Sequence, residues 1–315
     1  VALYLKNIRY SGDSIGNDIF AEIESAGQSI HPDVKIKRGS NAEINAEIAY
    51  FETEENILTV PIRIRITEND ILFDDIGEKN GTIAIDLAAP LPQSHVFEIK
   101  VAESRGGRGR RVAVFHITLE ASPAIRYVAD TDDKGWLEVV LKNADTEKHI
   151  SLPIHLKVLL EDKDEHREHF TIAEGALKNI RASVALGDNG ESRFSKTNPH
   201  TKSAKLTYSI SKKILTIGRK RYTTVDYPNA MWTKGIYDIE IPDYPHAGGN
   251  AYPNNKHATT WFRIYHPEDR YLHTGERSLG CITVTENNRW DELYTLLIAT
   301  RKGDDKNIGT VKVID

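Results

Sequence analysis

The chain has 315 residues, of which 39% are hydrophobic and 28% charged, with a formal net charge of −5. That is the profile of an ordinary globular protein of two or three domains, and without a basic field nucleic acid is not an expected partner. The single cysteine, Cys281, excludes an intrachain disulfide and any cysteine-built zinc site, and no apolar run is long enough to span a bilayer. No signal peptide opens the sequence, and its only methionine is Met231, so the start at Val1 is read as a trimmed one.

Residues 1–122 read as an all-β module. Residues 57–66 alternate apolar and charged side chains with period two, the mark of a half-buried strand. Residues 2–9, 18–24, 82–87 and 112–119 repeat the pattern between Gly, Asn and Asp turns, which predicts a β-sandwich. The glycine-rich basic tip at 105–111 is read as a solvated hairpin loop rather than an anion site. Asp13, Asp18, Asp74 and Asp75 lack the dense ligand spacing of a calcium loop and are read as turn residues.

Residues 123–203 read as a smaller β-rich module ending in a polar linker from 192 to 203. Strands are expected at 136–141 and 154–160, a tight turn at 187–190, and a short helix is open at 172–180, weakened by Gly175. His166 and His169 sit in a mixed charge run, which is more naturally a hairpin than a metal site.

Residues 204–315 form the third unit. A hairpin is expected from 205–210 and 213–217, and a strand near 232–239. The patternless run 242–259, rich in Pro and Gly, suits the wall or lid of a cleft. Strand chemistry returns at 260–265 and is expected to lie beside residues 271–273. Trp290, Leu293, Tyr294, Leu297 and Ile298 then share one face of a helix over 288–301, with Thr285 or Asn287 as cap and Gly303 beyond a basic last turn. Residues 307–314 close the chain as a strand.

Within this unit lies the stretch on which function depends. His273 precedes Ser278-Leu279-Gly280-Cys281 on one short loop. A thiol becomes a strong nucleophile when a base or positive charge lowers its pKa, and histidine is the usual partner. A glycine before the cysteine leaves its backbone open, so the amides of Gly280 and Cys281 are expected to face a developing oxyanion. The competing reading is that a lone cysteine is a small apolar core residue. A buried structural cysteine, however, has no need of a glycine elbow.

His273 and Ser278-Leu279-Gly280-Cys281 resemble the histidine and Ser-x-Gly-Cys loop of the L,D-transpeptidase (YkuD-like) catalytic domain. The likeness extends weakly from about Leu206 to the end of the chain. It differs in a shorter histidine-to-cysteine loop and in Thr283, which stands where that family often has Arg or Asn. The resemblance implies a mainly β fold with a C-terminal helix, and catalysis by Cys281, His273, Gly280 and Ser278. It also implies a Cys281 thioester with peptidoglycan stem peptides, no cofactor, no metal, and a periplasmic, cell-envelope or secreted location in a bacterium. Ser278 is expected either to hold the turn or to orient His273. Arg263, Arg270 and Arg277 are candidates for binding a substrate carboxylate, Arg263 foremost, and Trp261, Tyr265 and His257 for lining the cleft. The β modules would position the enzyme on the wall or on a protein partner. Two other readings stand beside this one: an L,D-carboxypeptidase or exported toxin that hydrolyses stem peptides, and a non-enzymatic wall-binding protein with a decayed site.

Overall fold

The computed structural model describes residues 1–53, 55–69, 74–103, 111–142, 147–264 and 269–315. The protein is mainly β, with several sheets, a closed eight-stranded barrel and one C-terminal α-helix. It divides into two compact units, Val1–Ala124 and Ile125–Asp315.

In the first unit two sheets share one apolar core. One orders its strands Asn41–Tyr50, Ala2–Gly12, Val112–Ser122 and Gln93–Ala102. The other orders Gln28–Ile30, Asp18–Ser25, Ile57–Glu68 and Asp75–Asp86, with Asp33–Lys35 added beside Asp18–Ser25. The period-two pattern does what it predicts: Val60, Ile62, Ile64 and Ile66 are buried, and Arg63 between them is exposed. Across the first sheet, Tyr10 and Phe115 are register partners and stack at 4.6 Å, fully buried. Asp13 acts as a turn residue, its carboxylate accepting the Val112 main-chain N–H at 3.0 Å. Of the basic tip only Arg111 falls among the described residues.

The second unit combines a seven-stranded sheet with the barrel over a continuous apolar core that runs from Val128 to Val313. The run that holds His166 and His169 forms a hairpin between Lys157–Lys163 and Arg167–Ile172, and His169 bonds to Asp164 at 3.0 Å. Residues 172–180 are not helical. The strand ends at Ile172, and Gly175 and Asn179, with φ of 80° and 70°, turn the chain instead. The polar stretch from 192 to 203 carries two short strands, Phe194–Ser195 and Thr201–Lys202, the second parallel to Thr300–Arg301. Beside it a buried ion pair at 2.8 Å links Arg301 to Glu174.

The barrel runs Ala204–Ser209, Ile214–Ile217, Lys220–Val225, Ile282–Val284, Arg270–Thr274, Phe262–Ile264, Gly235–Glu240 and Asn307–Ile314. It closes where the first and last of these pair in parallel from Ala204↔Gly309 to Ser209↔Ile314. Closure leaves these strands no unpaired edge. The expected neighbours are found, with Phe262↔Leu272 and Arg263↔Tyr271 in register.

The helix is Trp290–Ile298, and the five expected residues are the ones it buries. Its expected caps are not used. Asn287 Oδ1 accepts from Thr274 Oγ1 at 2.7 Å and Thr285 Oγ1 donates to the Thr223 carbonyl, so both side chains are spent on the barrel. The helix also stops short of the basic residues, although Arg301 reaches back to the Ile298 carbonyl at 2.9 Å. Among the described residues no helix is long and apolar enough to cross a membrane.

Barrel closure supplies a direct test. A Cβ on Gly309 would lie 2.2 Å from the Ala204 carbonyl oxygen, so the strands pair only because the side chain is missing. Gly309→Ala is expected to cost about 1–3 kcal/mol of stability, read as a lower urea midpoint. An unchanged midpoint would mean that closure tolerates a separation the register forbids.

Candidate active site

Two adjacent parallel strands build the site. Leu272↔Ile282 and His273↔Thr283 are in register, so His273 and Thr283 project from the same face, opposite the core residues Leu272 and Ile282. Cys281 lies just before Ile282–Val284, and its thiol sits beside the main-chain N–H of Tyr271, two residues before His273 on the neighbouring strand. The sequence separates histidine and cysteine by a loop; the parallel pairing brings the end of that loop back beside the strand that carries His273.

The loop between them is fixed from within. Ser278 Oγ accepts the Gly280 N–H at 3.1 Å and donates to the Cys281 carbonyl at 2.8 Å. Of the two roles open to Ser278, holding the turn is the one it fills. Gly280 has a φ of 124°, a conformation that disfavours any side chain. Its N–H is taken by Ser278, so in this state it is not an open oxyanion donor as expected. Tyr252 Oη accepts the Glu276 N–H at 2.9 Å and ties down the start of the loop.

His273 is 7% exposed and both its ring nitrogens have partners. Nδ1 lies 2.8 Å from the Thr274 carbonyl oxygen and Nε2 lies 3.1 Å from Thr283 Oγ1. The expected imidazole–thiol contact is thus replaced: no hydrogen bond joins His273 to Cys281. Burial is the main force that pushes the His273 pKa down to about 4, and nearby His246 adds to it. Burial likewise pushes the Cys281 thiol up, against the Tyr271 main-chain N–H and the Arg270 guanidinium. Both shifts favour a neutral pair over the preformed thiolate expected from the sequence.

A column of rings backs the imidazole. Trp261 stacks on His273 at 4.1 Å and 16°, His246 on Trp261 at 4.6 Å and 2°, and Tyr244 on His246 at 4.3 Å and 25°. Asp243 Oδ1 holds His246 Nε2 at 3.1 Å. The patternless run 242–259 thus packs His246 against Trp261, and Gly248 allows the approach. A Cβ on Gly248 would come within 2.8 Å of Trp261.

The remaining candidates separate. Trp261 is at the site. Arg263 shares the face of Tyr271, but its guanidinium is paired with Asp269 and with Glu240 at 3.6 Å. His257 is committed to the helix, bonded to Asp291 at 2.8 Å and stacked on Tyr294 at 3.8 Å. Arg277 is exposed on the loop, beside Leu279, which is 87% exposed. Tyr265 lies outside the described residues.

Two residues gain importance. Arg270 is buried, lies over Trp232 at 5.0 Å, donates to the Ala230 carbonyl at 2.8 Å, and sits next to both Gly280 and the thiol. Thr283 is fully buried against the imidazole. Its signal in the sequence is its place two residues after the cysteine on a strand.

No family model matches the chain, and no curated protein matches it. Human GIVD cytosolic phospholipase A2 is a similar solved structure at 11% identity, with 60% of this chain and 30% of that chain covered and a TM-score of 0.15. The chain thus spans about a third of that protein's length, and so low a score carries no argument about fold or activity.

A neutral pair has two measurable consequences. Alkylation of Cys281 by iodoacetamide is expected to climb about tenfold per pH unit from about pH 6 to about pH 8, following the thiolate fraction. A plateau across pH 5–7 would instead mark a preformed thiolate–imidazolium pair. Stability should also depend on acid. Because His273 binds its proton less tightly in the folded chain than in the unfolded one, stability rises with pH between about 4 and 6.5. Acidification through that window should cost on the order of 3 kcal/mol, and His273→Gln should flatten this part of the urea-midpoint profile. Equal acid losses in both proteins would show that the imidazole is not the group responsible.

Proposed function

We propose that the barrel is a cysteine-dependent acyltransferase acting on peptidoglycan stem peptides, an L,D-transpeptidase of the YkuD-like type. The observation that carries the reading is the parallel pairing of Arg270–Thr274 with Ile282–Val284, which leaves the Cys281 thiol beside Tyr271 on the strand that carries His273, with the elbow at Gly280 just before it.

The neutral resting pair makes His273 a general base. As the sulfur attacks a peptide carbonyl, its proton passes to the imidazole, and the carbonyl oxygen takes the negative charge. The Arg270 guanidinium beside Gly280 is the positive group nearest that charge, a kind of stabilisation typically worth about 3–4 kcal/mol where a donor is well aimed. Collapse returns the proton from His273 to the departing amine, D-alanine, and leaves a thioester on Cys281. A side-chain amine of a second stem then gives the cross-link. Water in its place gives L,D-carboxypeptidase action, the second reading.

The test is release of D-alanine from purified disaccharide-tetrapeptide, with and without an acceptor stem. Cys281→Ala is expected to abolish release, and His273→Gln to slow it by about 10²–10⁴-fold, the usual worth of a general base. Cross-linked dimer identifies the transferase, and tripeptide without dimer the hydrolase. Release that persists in Cys281→Ala contradicts the proposal.

A further inference from the structure

We propose that Thr283 is a positioning residue that latches the imidazole, so that His273 takes the Cys281 proton only after the Thr283 hydroxyl has turned off Nε2. The inference rests on Cys281 and His273 being the reactive pair, and it concerns how that pair is held before reaction.

Counting protons and lone pairs leads to the latch. The Thr274 carbonyl oxygen can only accept, so His273 Nδ1, 2.8 Å away, carries the ring's proton. A neutral imidazole has one such proton, and Nε2 is therefore an acceptor. Thr283 Oγ1, 3.1 Å from Nε2, must then be donating to it. Nε2 has a single in-plane lone pair, and the hydroxyl occupies it. The thiol proton has nowhere to go on this ring while that bond lasts.

The surroundings keep the latch shut in the resting chain. Thr283 is fully buried, so water does not compete for its hydroxyl. The imidazole is pinned by the Thr274 carbonyl at one edge and by the Trp261 face at 4.1 Å. Gly275 packs closely enough that a Cβ there would lie 3.2 Å from the Thr283 methyl. Charged and titratable groups near the pair include His246 beyond Trp261, held by Asp243, Tyr252 against Gly275, and Arg270 and Tyr271 beside the thiol. None of them replaces Thr283 at Nε2. When the hydroxyl rotates away, the lone pair is freed on the strand whose Tyr271 N–H lies beside the Cys281 thiol. The S–H proton then passes to Nε2 as the sulfur attacks an electrophile; with iodoacetamide the S–C bond forms as iodide leaves.

The test measures the second-order rate of Cys281 alkylation by iodoacetamide at pH 7 in the full chain, followed by intact mass. Wild type is compared with Thr283→Val, Thr283→Ser and the double variant T283V/H273Q, each checked for folding by near-ultraviolet circular dichroism. Thr283→Val is expected to react about five- to tenfold faster, the factor that corresponds to releasing one net hydrogen bond. Thr283→Ser, which keeps the hydroxyl, is expected to stay near the wild-type rate. The double variant is expected to fall back to it, because the gain runs through the imidazole. A valine variant no faster than wild type overturns the latch, and so does a gain that survives the loss of His273. Should the valine variant fail to fold, Thr283→Ala is held to the same expectation. These rates involve no stem peptide, so they stand if the proposed substrate is wrong. Conversely, loss of the latch leaves wild-type D-alanine release untouched.

Discussion

The parallel pairing of Arg270–Thr274 with Ile282–Val284 is the constraint on which the site depends. Side chains alternate along a strand, so a slip of one residue would turn either the imidazole or the Thr283 hydroxyl into the core. The register is held by what lies on both sides of it. Phe262, Leu272 and Ile282 are buried on the inner face, and Asn287 at the foot of the helix accepts from Thr274. Closure of the barrel at Gly309 then fixes the ring of strands to which this pair belongs.

Chemistry at the site is set by burial more than by charge. The imidazole is enclosed by Trp261, Thr283 and the Thr274 carbonyl, and removal of water disfavours its protonated form. Partial burial disfavours the thiolate in the same way. Two groups that would form an ion pair in a wetter cleft are therefore both neutral. Under the proposed function the charge arises only as the carbonyl is attacked, and Arg270 is the fixed positive group beside the place where it arises.

Much of the fold was legible from alternation. Residues 60–66 bury every second side chain because each half-buried strand needs only a period of two to declare itself. The helix face from Trp290 to Ile298 was equally clear, and so was the strand at Asn307–Ile314. Its caps were not, because Thr285 and Asn287 have the right chemistry for a cap but spend it on Thr223 and Thr274. Such competition between local and distant partners leaves no mark on the local sequence. Residues 172–180 failed for the reason Gly175 warned of, a left-handed backbone where a helix needs a right-handed one.

The candidate pair, Cys281 and His273, was legible because a short motif brings it close in the chain. Its supporting residues were hidden by distance. Arg263 seemed the better placed arginine along the strand, yet it is paired with Asp269 and Glu240, while Arg270 turns inward beside the elbow. His246 and Trp261 meet His273 only because a segment without periodicity folds across the strands. The most direct test of the central claim is the mass of the intact protein after brief exposure to a tetrapeptide stem. The account predicts a gain equal to the donor less D-alanine, mapped to Cys281 and removed by hydroxylamine. No such adduct in the wild type, or an equal one in Cys281→Ala, would contradict it.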